Sequence, residues 1–301
     1  MWVKKGLIIE PQNNLWWMKS HAMLPTVDQV EEDLYKVYFS GRDENNRSQI
    51  GCAYAKVNNE SIEVLKYSED PVLTNGDTGC FDDNGVTPSC IVNDCDVKRM
   101  YYIGWNSGTT TTRMSLIMGM AISTDHGETF VRNSRAPLLI PTDREPFNIA
   151  TAPCVLKEKD IWHMWYVSGE GWISKDLPIY NIKHAYSNDG VNWTRNGTVC
   201  IDFESEKETA LARPWVIKEG DTYKMWFSYK DPAVGYRIGV ATSNDAVSWN
   251  RNNNSGIDIS ERGWDDKMIE YSCVFENKGV RYMLYNGNNY GESGIGYAVQ
   301  R

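Results

Sequence analysis

The chain has 301 residues, a formal net charge of −9, a pI near 5.1 and 12 % aromatic residues. A balance this acidic lacks the basic surface that a nucleic acid or an anionic membrane requires, so neither is an expected partner. The length suits one large all-β domain or two ordinary domains, and no stretch reaches the roughly 20 apolar residues of a membrane helix.

The opening MWVKKGLIIEPQ has two lysines but no apolar run long enough for a signal peptide. Its WVKKGLII (2–9) reads as a short strand. Three strands follow: LPTV (24–27), YKVYFS (35–40) and IGCAYA (50–55). The same succession returns as TPSCIV (87–92), MYYIGW (100–105) and MGMAIS (118–123), then as APCVLK (152–157), HMWYVS (163–168) and IKHAYS (182–187). The fourth passage is RPWVIK (213–218), YKMWFS (223–228) and IGVATS (238–243). The fifth is YSCVFE (271–276), RYMLYN (281–286) and IGYAVQ (295–300). Aligned on Ser40, Gly104, Ser168, Ser228 and Asn286, the copies are spaced by 64, 64, 60 and 58 residues. Aromatic and β-branched residues suit pleated, half-buried surfaces, and five copies of about 60 residues read as the blades of a five-bladed β-propeller.

A fourth strand is expected after each third one. STDHGETFVRN (123–133), SNDGVNWTRN (187–196) and SNDAVSWNRN (243–252) share Ser-x-Asp, an aromatic and Arg-Asn. The aspartate can bond its own turn, which makes this a structural hairpin resembling the Asp-box of sialidase-type propellers. The fifth copy lacks such a strand. WVKKGLII parallels WTRNGTVCI (193–201) in its Trp, its basic residue two positions on, its Gly and its apolar run. Residues 2–9 are therefore expected to complete blade five, giving four-stranded antiparallel blades in a single domain over 1–301 with protected sheet edges.

The seven cysteines include no CxxC pair, and Cys90, Cys154 and Cys273 read as buried thiols, which suits a reducing cytoplasm. The four histidines show no zinc-ligand spacing. No cofactor is required. Calcium or another divalent ion could sit at Asp82, Asp83 and Asn84, although nothing demands it.

In a propeller the first strand of each blade lines the channel, and the loops at one mouth frame the pocket. That places His21, Asp82, Asp83, Glu208, Arg213, Glu270 and Tyr271 near the centre, with Arg42, Asp43, Arg113, Glu170, Trp172 and Asn286 on second-to-third-strand loops. Acids there are hard to bury without a partner or a use, and glycoside cleavage needs two carboxylates about 5–10 Å apart. Asp83, Glu208 and Glu270 are the catalytic candidates. The structural alternative is a salt-bridge ring with Arg42 and Arg213. Arginine suits bidentate capture of carboxylate or phosphate, His21 suits acid–base work, and Trp172 can stack on a sugar.

The blades, FDDNGVTPS, ALARPWV and RYMLYNGN resemble the five-bladed propeller superfamily of glycoside hydrolases, which includes invertases, arabinanases and mannoside phosphorylases. HA, SGRD, NRSQIG and YNGNNYGESGIGYAV resemble, over nearly the whole chain, a poorly characterised propeller family that accompanies surface-polysaccharide genes. The resemblance implies chemistry at an anomeric carbon. Asp83 matches the superfamily's blade-two aspartate. Its blade-one aspartate falls in SHAMLPTV, where only His21 is near, and its blade-three glutamate falls in FNIATAP, which has no acid. Three expectations follow: a glycoside hydrolase, a glycosyltransferase using a phosphorylated sugar donor, and a non-catalytic glycan-binding propeller.

Overall fold

The computed structural model describes residues 1–301. It is an all-β chain of twenty strands, with one helical turn at Asn288–Gly291. In order, β1 is Val3–Ile9, β2 Ser20–Gln29, β3 Leu34–Arg42, β4 Ser48–Asn58 and β5 Ser61–Tyr67. Next come β6 Gly85–Asp94, β7 Val97–Ser107, β8 Met114–Ser123 and β9 Val131–Arg132. The third series is β10 Ile149–Glu158, β11 Ile161–Ser174, β12 Leu177–Ser187 and β13 Thr194–Ile201, and the fourth is β14 Ala210–Glu219, β15 Thr222–Asp231, β16 Gly235–Ser243 and β17 Asn250–Asn252. Three strands close the chain: β18 Glu270–Asn277, β19 Val280–Asn286 and β20 Ile295–Gln300.

Consecutive strands pair antiparallel, so β2 to β5, β6 to β9, β10 to β13 and β14 to β17 form four-stranded meanders. The last meander, β18 to β20, gains its fourth strand from the other end of the chain: β1 pairs antiparallel with β20, Val3 opposite Val299. Middle strands such as β3 are buried along nearly their whole length. Both faces of such a sheet are covered by neighbouring sheets, which is why aromatic and aliphatic residues occupy successive positions without a polar alternation.

Each interface between successive meanders has its own apolar cluster. Cys52 and Tyr38 pack with Met100 and Tyr102, Tyr101 with Met164 and Tyr166, and Trp165 with Met225 and Phe227. Trp226 packs with Val274 and Met283, and Tyr282, Leu284 and Tyr297 pack with Tyr35, Val37 and Phe39 of the first meander. The Ser-x-Asp turns tie the same interfaces. Tyr38 Oη donates to the Gly127 carbonyl, Tyr101 Oη to Gly190 and Trp165 Nε1 to Ala246, each from the preceding meander. Hydrogen bonds from the backbone and side chain of Asn192 and the backbone of Val191 hold the Asp189 carboxyl well below its usual range. These turns are structural.

The first strands β2, β6, β10, β14 and β18 are neighbours in that order, and β18 also neighbours β2. Each shows a register slip against its partner at the same place. At the slip Leu24, Ala152, Arg213 and Tyr271 take positive φ, between 47° and 58°. Non-glycine residues there carry roughly 1–3 kcal/mol of strain each, which the surrounding sheet must offset. The freed amides find partners: Tyr271 N–H donates to Ser228 Oγ at 2.8 Å, and Leu24 N–H to Asn286 Oδ1 at 2.9 Å.

Candidate functional site

The five bulges turn Leu24, Thr87, Ala152, Arg213 and Tyr271 into one central cavity of about 520 Å³. Its wall is partly aliphatic, with Ile103, Leu116, Ile149 and Val167 in one packed cluster with Leu24. The polar lining is cationic: Arg42, Arg113, Arg213 and Lys230 all reach it. Asp176 is the only acid in the lining; it is 70 % exposed, and its Oδ1 lies 4.0 Å from Arg113 Nε. Four tyrosines, Tyr180, Tyr236, Tyr271 and Tyr290, complete the side nearest β14 to β18. Lys230 Nζ donates to Tyr290 Oη at 3.0 Å, and the Tyr180 and Tyr236 hydroxyls meet at 2.6 Å.

Two of the expected acids, Asp82 and Glu208, lie elsewhere, engaged in a clamp that Glu145 and Asp265 repeat. An acid just before a meander's first strand bonds a tyrosine of the second strand and a basic residue of the fourth. Asp82 accepts from Tyr102 Oη at 3.0 Å and Arg132 Nε at 2.8 Å. Glu145 accepts from Tyr166 Oη at 2.9 Å and Arg195 Nη1 at 3.3 Å. Asp265 accepts from Tyr285 Oη at 3.0 Å and Lys4 Nζ at 2.6 Å. Glu208 has no tyrosine but forms a bidentate pair with Arg251 at 2.6 and 2.9 Å. Asp83 lies in the turn ahead of β6 and accepts from Gly79 N–H at 2.9 Å. Asp82, Asp83 and Glu208 therefore do not line the cavity, and the expected pair of facing carboxylates is not assembled there.

Glu270 is different. It is fully buried, neither carboxylate oxygen has a hydrogen-bond partner, and burial pushes its pKa well up. It is not part of the lining, although the next residue, Tyr271, is.

Several binding candidates are structural as well. Asp43 caps its own turn through the amides of Asn45 and Arg47. Asn286 is buried, donating to the Ala22 and Gly294 carbonyls at 2.7 Å while it accepts from Leu24. Glu170 pairs with Lys183 at 2.7 Å, and Trp172 packs on the aliphatic cluster beside the cavity without lining it. His21 is bonded to Ser20 Oγ at 3.0 Å outside the lining, and burial with Arg42 nearby pushes its pKa down to about 4. Arg42, Arg113, Arg213 and Tyr271 do face the cavity. Lys230, absent from the sequence expectation, was detectable in the repeat: it stands two residues after Ser228 as Arg42 stands two after Ser40.

This all-β architecture is the propeller-type fold of glycoside hydrolases. The structure matches a glycoside hydrolase with a TM-score of 0.76 at 21 % identity, covering 99 % of this chain and 91 % of that one, and the BT0996 RGII complex equally. A thermostable family-43 glycoside hydrolase matches at 0.65 with 17 % identity, covering 94 % and 89 % of the two chains. No family model matches the sequence. Over 301 residues the chain is 39 % identical to Rv1502 of Mycobacterium tuberculosis (strain ATCC 25618 / H37Rv), covering 99 % of this chain and 98 % of the relative. It is equally similar to MT1551 of strain CDC 1551 / Oshkosh. The chain belongs to the family of these two uncharacterised proteins.

Proposed function

We propose that this protein is a carbohydrate-active enzyme that transfers a glycosyl group from a phosphorylated sugar donor to a glycan acceptor in surface-glycan assembly. We read the five meanders as five blades of one domain, closed by β1. The carrying observation is the cavity lining: four cationic side chains and a single exposed acid. Hydrolysis of a neutral glycoside needs an acid to protonate the leaving oxygen and a second carboxylate opposite it. A phosphate leaving group needs neither, since cations stabilise the charge it develops. In the transfer, the bond from the anomeric carbon to the phosphate oxygen breaks and a bond to the acceptor oxygen forms. The acceptor's proton leaves with the phosphate. The seven free thiols are in keeping with a cytoplasmic setting, where phosphorylated donors are made.

The test is product analysis by mass spectrometry. The protein is incubated with phosphorylated furanosyl and pyranosyl donors plus a glycan acceptor, and separately with aryl glycosides. Acceptor extended by one sugar, with a loss of at least about tenfold in Lys230→Gln, is the expected result. Free sugar released from the aryl glycosides, lost in Glu270→Gln, would establish hydrolysis instead.

A further inference from the structure

We propose that the cavity floor is an oxyanion site built on Arg213, taking a phosphate group carried by the sugar substrate or supplied as free inorganic phosphate. This deepens the transfer reading and rests on it for the choice of phosphate.

Arg213 has no exposed surface. Its Nη2 donates to the Pro25 carbonyl at 2.9 Å and to Thr26 Oγ1 at 3.0 Å, which anchors the guanidinium against β2. Its Nε and Nη1 have no partner, and no carboxylate forms an ion pair with it. Guanidinium stays charged in proteins, so this is a buried cation with no counter-ion, an arrangement that is costly unless something compensates it. The neighbours do not. Burial pushes the Cys154 thiol up to about 11 and the Cys273 thiol up to about 12, so both remain neutral. The Trp215 ring, 5.4 Å from the guanidinium carbon, contributes only its π face.

The chain nevertheless holds Arg213 at the cavity. The residue sits on the bulge of β14 at φ 47°, ahead of Pro214, and forms part of the lining. The donors left over are the Nε–H and the Nη1–H groups, which point in different directions around the guanidinium plane, so each can donate singly to an oxygen of an anion. Tyr271 is within electrostatic reach of Arg213 and of Arg42, whose Nε is also without a partner. An oxyanion at the floor would supply the missing charge and acceptors together.

The test is calorimetric titration of inorganic phosphate into the whole chain, at ionic strength fixed with chloride, for the wild type, Arg213→Met and Lys230→Gln. Saturable one-to-one binding that is weakened at least about tenfold in Arg213→Met is expected, the loss of a charge-assisted hydrogen bond. Lys230→Gln should weaken it less. Absence of saturable binding in the wild type, or equal binding in Arg213→Met, would overturn the site. If Arg213→Met does not fold, hydrogen exchange on the wild type decides. Phosphate should slow amides in β14 and β18, and slowing confined to residues 42–47, 113 and 230 would place the anion at the rim. A sugar 1-phosphate that displaces phosphate identifies the carried group. Phosphate binding that tightens only with a glycan present identifies the free anion. Phosphate binding without glycosyl transfer sinks the transfer reading alone, and transfer unchanged in Arg213→Met sinks the site alone.

Discussion

Glu270 and Arg213 are both fully buried, one an acid and one a base, yet they do not pair. For Glu270 the consequence is a pH dependence with a definite sign. Burial raises its folded pKa well above the ordinary 4.5. Below that value both folded and unfolded chains hold the proton, and its contribution is fully present. As pH rises, the unfolded chain ionises first and stability falls until the folded pKa is passed. Glu270→Gln removes this titration. The variant should match the wild type in urea near pH 4 and exceed it near pH 8; parallel curves would show that Glu270 is solvated or paired. At this scale the site was half legible. Arg42, Arg113, Arg213 and Tyr271 stand at loop and first-strand positions that a propeller aims inward. Asp82 and Glu208 were misleading, because the basic partners that occupy them lie 50 and 43 residues further on and only folding brings them close.

Among the elements, the acid–tyrosine–base clamp recurs in three meanders, with a tyrosine-free form in the fourth. It fastens the segment before the first strand to the second and fourth strands. Glu145 and Arg195 are each nearly buried, at 3 % and 7 % exposure of their side chains. Removing one partner of such a pair leaves the other charge stranded, so Glu145→Ala should cost about 3–5 kcal/mol in urea denaturation. Glu145→Gln, which can still accept from Tyr166, should cost less. A loss below about 1 kcal/mol would assign the clamp the weight of a surface pair. The basic members of these clamps are the Arg-Asn residues and Lys4 that appear in the sequence as a bare repeat. All fifteen strand segments expected from that repeat fall inside observed strands. What the repeat could not reveal is the bulge in each first strand, since a positive φ at Leu24, Ala152, Arg213 or Tyr271 contradicts the preference of every one of those residues.

For the whole molecule, the pairing of β1 with β20 is the join on which the ends of the chain depend. Deleting residues 1–9 would expose the edge of β20 and leave Asp265 without Lys4. The truncated chain is expected to lose cooperative unfolding or to aggregate, read by circular dichroism and size-exclusion chromatography. A monomer melting at the wild-type midpoint would show that β1 is dispensable. The same pairing bears on synthesis. Val3 is synthesised long before its partner Val299. Four meanders can fold while the chain is still being extended, but the fifth cannot finish until β20 has been made. β1 must therefore remain without its partner strand while β2 to β19 are made, with its apolar residues available to nascent-chain chaperones.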